Sequence, residues 1–145
     1  MTRREQLRQS YVDAWRKQLD RSPLTPLESM IVDVIALHPE YQPVVRDLEA
    51  ALAFESAALN PTENPFLHMG LHLAVREQVS IDRPPGIREL QRSLESRLGN
   101  LHYAEHALME ALAETLREAQ LAGRAPDEGH YLEVARRRLS TSAGK

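Results

Sequence analysis

The chain has 145 residues, 42 % of them hydrophobic and 27 % charged, which suits one globular domain and argues against wholesale disorder. It contains no cysteine, so disulfides, zinc–thiolate sites, iron–sulfur clusters and thiol nucleophiles are excluded. A net charge of −3 gives no overall pull toward nucleic acid or anionic lipid. The N-terminus is too polar for a signal-peptide core, and no apolar run reaches the length of a membrane span. The expectation is a cytoplasmic protein that engages neither nucleic acid nor membrane and meets a small-molecule substrate or a protein partner; oligomeric state stays open.

Ala, Leu, Glu and Arg dominate and β-branched residues are sparse, which predicts an all-α fold. The expected architecture is a helical bundle of five to six helices with a polar, histidine-rich core site. It forms a single domain over residues 1–140, with 141–145 as a frayed tail. Thr2 with Glu5, and Thr25 with Glu28, fit capping boxes, and Pro26 stands at a first helical position. The second helix carries Leu27, Ile31, Val34 and His38 on one stripe until Pro39 ends it. Pro43 opens a third helix reaching Leu59, with Val45, Leu48, Leu52 and Leu59 on one side and Glu55 among them. Asn64 as N-cap and Pro65 at the first position start a fourth, through Phe66, Leu67, Leu71, Val75 and Val79.

Residues 80–86, Ser-Ile-Asp-Arg-Pro-Pro-Gly, make a turn. Residues 87–121 then read as helix, with Leu90, Leu94, Leu98, Leu101, Leu108, Leu112 and Leu116, a kink or split at Gly99-Asn100, and Gly123 as C-terminal cap. Pro126 starts a short last helix through Leu132 and Leu139.

Six histidines include two pairs at helical i, i+4 spacing, His68 with His72 and His102 with His106, and such positions lie about 40° apart on one helix face. Val75 and Val79 flank the first pair; Leu98, Met109, Ala113 and Leu116 bracket the second, so both pairs are expected to point inward. His38 continues the stripe of helix two. Glu55 falls amid leucines, where a carboxylate is costly to bury without a cation or several donors. Arg76 lies near the histidine face and is a candidate partner for an inward carboxylate.

Imidazoles from two helices with carboxylates nearby are a ligand set for a borderline transition metal in a helical core. The metal-ligand candidates are therefore His68, His72, His102 and His106, with Glu105, Glu110, His38 or Glu55 assisting. The competing reading is a metal-free polar network in which the histidines satisfy one another and a glutamate.

The strings Asn64-Pro65-Phe66-Leu67-His68, His72, Arg76-Glu77-Gln78-Val79-Ser80 and Asp82-Arg83-Pro84-Pro85-Gly86-Ile87 resemble a bacterial family, domain of unknown function 1841. The likeness extends to Tyr11 through Trp15, His38-Pro39-Glu40-Tyr41, Ala104-Glu105-His106 with Met109-Glu110, and Ala122-Gly123 through Pro126-Asp127-Glu128. The resemblance implies a compact bacterial protein with Asn64 to Ile87 as a signature region, and supplies no reaction.

His102-Tyr103-Ala104-Glu105-His106 also spells H-x-x-E-H, the inverted zincin pattern. Such peptidases need a further acidic ligand far downstream and a larger substrate-binding architecture, and too little chain follows His106 for either. Nucleophile-elbow, phosphate-loop and dinucleotide-binding motifs are missing. The basic run Arg136, Arg137 and Arg138 reads as a solvated helix face.

The functional expectation is a metal-binding helical protein holding one or two transition-metal ions, iron or zinc. Two irons with open positions would support dioxygen or peroxide chemistry, although the usual pair of Glu-x-x-His motifs is absent. A zinc ion would lower the pKa of bound water to about 7 for hydrolysis. Whether the protein is an enzyme stays open. The alternative is a metal-free, cytoplasmic protein-interaction module with a buried histidine and carboxylate hydrogen-bond network.

Overall fold

Capping side chains set where the helices begin. The computed structural model describes residues 2–53 and 64–142, and the regular structure among them is entirely helical: eight α-helices and one 3-10 turn. The all-α expectation holds, while the helix count exceeds the expected five to six because two of the longer predicted helices are each interrupted. By chain proximity the protein divides into two compact units, Met1–Leu73 and Ala74–Lys145.

In the first unit, α1 (Arg3–Leu19) and α2 (Pro26–Ala36) both start with the expected capping boxes. Thr2 and Thr25 accept the N–H of Glu5 and Glu28, and each glutamate returns a carboxylate to its cap residue's N–H. A 3-10 turn (Pro39–Tyr41) follows, then α3 (Gln42–Val45) and α4 (Leu48–Ala53). The single helix expected from Pro43 is thus broken at Arg46-Asp47. Asp47 nucleates a new start: its Oδ1 accepts the Glu49 N–H at 3.0 Å and its carbonyl accepts the Ala51 N–H. Glu55 and Leu59 lie outside the described residues.

Helix α5 (Pro65–Ile81) begins where Asn64-Pro65 predicts it, with Asn64 Oδ1 accepting the N–H groups of Phe66 and Leu67. The core of this unit sets Val12 and Trp15 of α1 against Ile31, Val34 and Ile35 of α2, joined by Phe66 and Met69 of α5. Leu27, expected on the inward stripe, is 60 % exposed. Arg8 is buried, donates to the Ala51 carbonyl at 3.0 Å and lies over the Phe66 ring. A guanidinium can sit there because both a carbonyl and a ring face meet it.

The second unit holds the rest of α5, α6 (Ile87–Leu98), α7 (Leu101–Ala122) and α8 (Glu128–Ser142). Between α5 and α6, Arg88 turns back to donate to the Val79 and Ser80 carbonyls, and its own N–H reaches Asp82 Oδ1. A cation thereby covers carbonyls that the end of α5 leaves without helical partners.

The long helix expected over 87–121 is split at Gly99-Asn100. Gly99 adopts φ 97°, a left-handed conformation that terminates α6. Asn100 caps α7 by accepting the Tyr103 N–H at 2.8 Å. Helix α8 starts at Glu128, later than Pro126 suggests, because Asp127 Oδ1 accepts the His130 N–H.

Ile87, Leu90 and Leu94 of α6 form the core with Leu108 and Leu112 of α7 and Tyr131 and Val134 of α8. Leu101 and Leu116, expected on the same stripe, are 49 % and 41 % exposed. Among the described residues no helix is long and apolar enough to cross a membrane.

Candidate metal centre

Three histidines of the first unit converge. His68 and His72 stand one turn apart on α5, so both rings leave the same face of that helix. His38 reaches them from the end of α2, where Pro39 stops the helix and turns the chain into the 3-10 segment. The Nε2 atoms of His38 and His68 lie 3.0 Å apart, and those of His68 and His72 lie 3.2 Å apart. Ring centroids are separated by 4.7–4.9 Å across the three pairs, and the planes are tilted or perpendicular, so the rings point at one another edge-first. His72 is fully buried, His38 is 7 % exposed, and His68 is half-buried.

The spacing is that of donors around one ion. Nitrogens about 2.0–2.1 Å from a shared centre stand about 3.3–3.4 Å apart at tetrahedral angles and about 2.8–3.0 Å apart at right angles. The observed 3.0 and 3.2 Å fall between these limits.

His38 is also prepared in the way metal-bound imidazoles usually are. Its Nδ1 donates to the Val34 carbonyl at 2.9 Å, which places the ring proton on Nδ1 and leaves the Nε2 lone pair facing the cluster. That carbonyl belongs to the last turn of α2, where helical partners run out. Tyr41 stacks on the His38 ring at 4.9 Å with planes 10° apart and meets His68 edge-on, fixing the rotation of the first ring. Burial, with a smaller contribution from Glu40, raises the Tyr41 phenol above its ordinary pKa, so it remains a neutral packing surface.

Proton arithmetic argues against a simple hydrogen-bonded chain. One ring nitrogen offers either a single N–H or a single in-plane lone pair. His68 Nε2 faces both His38 Nε2 and His72 Nε2, and it can reach both at once only by sharing a single N–H. A cation at the common focus would engage all three lone pairs.

The other candidates are placed differently. His102 is exposed, contrary to the expectation that it points inward; the restart at Asn100 leaves it in the first turn of α7, ahead of the buried stretch. Its ring packs 4.2 Å from that of His106, which is half-buried on the same helix. Glu105, nominated as a metal ligand, is buried and receives Arg76 Nε on both oxygens, at 3.1 and 3.2 Å, so it is an inward carboxylate that Arg76 meets. Glu110 is exposed and paired with Arg138 at 3.1 Å. Tyr41 and the Val34 carbonyl were not singled out from the sequence as parts of the site. The available signal was the string His38-Pro39-Glu40-Tyr41, in which one tight turn brings residues three apart together.

Among curated proteins and among solved structures, nothing matches the chain. A family model does, the domain of unknown function DUF1841, over residues 3–137. That span includes all three converging histidines together with the caps and turns that aim them, and the chain accordingly belongs to the DUF1841 family.

Proposed function

We propose that the protein binds one transition-metal ion, zinc or iron, through the Nε2 atoms of His38, His68 and His72. The observation that carries the reading is the mutual approach of these nitrogens to 3.0 and 3.2 Å, near the edge lengths of a coordination shell. The Val34 carbonyl behind His38 supports it, since an outer partner of this kind orients the ring and raises its basicity. His106, nominated by the sequence pairing on α7, is a further donor candidate and is tested by substitution.

Imidazole donors suit zinc, iron, copper and nickel, and geometry and supply select among them. With iron and an open position the site would serve dioxygen or peroxide chemistry. With zinc it would acidify a bound water toward hydrolysis.

The test is elemental analysis of protein purified without chelator or affinity tag. About one equivalent of a single metal is expected, with a lower melting temperature after chelation. Acidification toward pH 5 should release the ion, because protonation of imidazole competes for the same lone pairs. The His106→Ala variant is expected to retain less metal than the unaltered protein. Sub-stoichiometric metal together with a melting temperature indifferent to chelation would favour the metal-free interaction module instead.

A further inference from the structure

Independently of the metal reading, we infer that the outer face of α6 binds a small phosphate monoester with a hydroxylated body. Ile87, Leu90 and Leu94 turn one stripe of this helix into the core. Away from that stripe, Glu89, Arg92, Ser93, Ser96 and Arg97 recur at steps of three and four, so they share a second face, and all five are exposed. Arg92 and Arg97 stand about 140° apart around the helix axis and flank that face, with Ser93 and Ser96 between them. Leu139 of α8, which packs beside α6, is half-buried and supplies an apolar wall. The six residues line an open groove of about 700 Å³, within the size range of small-ligand sites.

The donors of this groove are not used within the fold. Ser10 and Thr115, also helical, return their hydroxyls to carbonyls four residues earlier; among the described residues Ser93 and Ser96 make no such bond. Arg16, Arg76, Arg137 and Arg138 all meet carboxylates, whereas Arg92 and Arg97 meet none among the described residues. Glu89 precedes Arg92 by three positions, a spacing that allows a helical ion pair, and that pair does not form either.

Two guanidinium forks converging over two hydroxyls suit a tetrahedral phosphate. Its terminal oxygens accept from both flanks and from the helix face at once, while a planar carboxylate offers a single two-oxygen edge. Glu89 sets the rest of the ligand. It lies one turn before Ser93, about 6 Å along the axis, where its carboxylate repels a second phosphate and accepts a hydroxyl from the ligand's body. That combination selects a monoester over a pyrophosphate or a nucleic-acid strand.

The test titrates the full chain, labelled with nitrogen-15, at constant ionic strength with ribose 5-phosphate, ribose, inorganic phosphate and an oligothymidylate. Ribose 5-phosphate is expected to give saturable amide shifts clustered on residues 89–97 and around Leu139. Ribose should give none, and inorganic phosphate should bind several-fold more weakly than the ester.

Two variants at exposed positions assign the roles. Arg92→Gln combined with Arg97→Gln should weaken the ester at least about tenfold, the loss of charge-assisted hydrogen bonds, with the spectrum outside α6 unchanged. Glu89→Gln should bring the ester and inorganic phosphate to similar affinities. Shifts that are absent, spread over the whole surface, or undiminished in the double arginine variant would overturn the inference. So would tighter binding of the oligothymidylate than of the ester, or equal binding of ester and inorganic phosphate by the unaltered protein. None of these outcomes bears on the histidines.

Discussion

Two histidine pairs share the same four-residue spacing and meet different fates. His68 and His72 lie within α5, and His38 joins them to bring three ring nitrogens together. His102 and His106 also share a face, with ring centroids 4.2 Å apart, but the first of them sits at the start of α7 and is exposed. Spacing along a helix decides which side chains are neighbours. Where the helix begins decides whether that face is covered. The carboxylates separate similarly: on α7, Glu105 is buried against Arg76, while Glu110, five positions on, is exposed with Arg138.

The sharpest way to break this contrast is a pair of matched substitutions. His72→Ala should abolish stoichiometric metal retention, a loss beyond the roughly 10–100-fold that removing an outer-shell partner costs. His102→Ala should leave metal content and affinity unchanged. Equal losses in the two variants, measured by competition with a chromophoric chelator, would erase the distinction between the pairs.

A smaller effect is expected where the second unit buries its own charge. Glu105→Ala leaves Arg76, which is 24 % exposed, without the carboxylate that now meets it. Breaking such a pair should lower unfolding stability by about 3 kcal/mol, discounted for the partial exposure of the arginine. Denaturant titration reads this directly, and a change below about 1 kcal/mol would mean that solvent already screens the pair.

Smallest is the cap between the two helices. Asn100→Ala removes the acceptor for the Tyr103 N–H and should cost about 1 kcal/mol by the same measurement. Amide exchange is expected to quicken in the first turn of α7 and to stay unchanged in α5, which sharpens the comparison of the two histidine-bearing helices.

Much of the fold was legible because its signals are local. The Thr2 and Thr25 boxes, the Asn64-Pro65 start and the Gly123 end each depend on a few adjacent residues, and short-range hydrogen bonds decide them regardless of what packs nearby. The break at Asp47 was missed because Asp is acceptable inside a short helical pattern, and only its carboxylate turning to the Glu49 N–H shows that it caps instead. In the site, the i, i+4 rule identified His68 and His72 as neighbours on one face. It carried no information on His38, thirty positions earlier in sequence than His68, whose approach depends on how α2 ends and where the chain goes after Pro39. The exposure of His102 was equally hidden, since residue spacing is blind to which turn of a helix has another element lying over it.

The thirty-position separation of His38 and His68 has a thermodynamic side. An ion held by both would close a loop of that length, and such closure removes about 3 kcal/mol worth of freedom from the unfolded chain. Metal in this position would act as a reversible cross-link, so survival of the protein against proteases would track the supply of the cation.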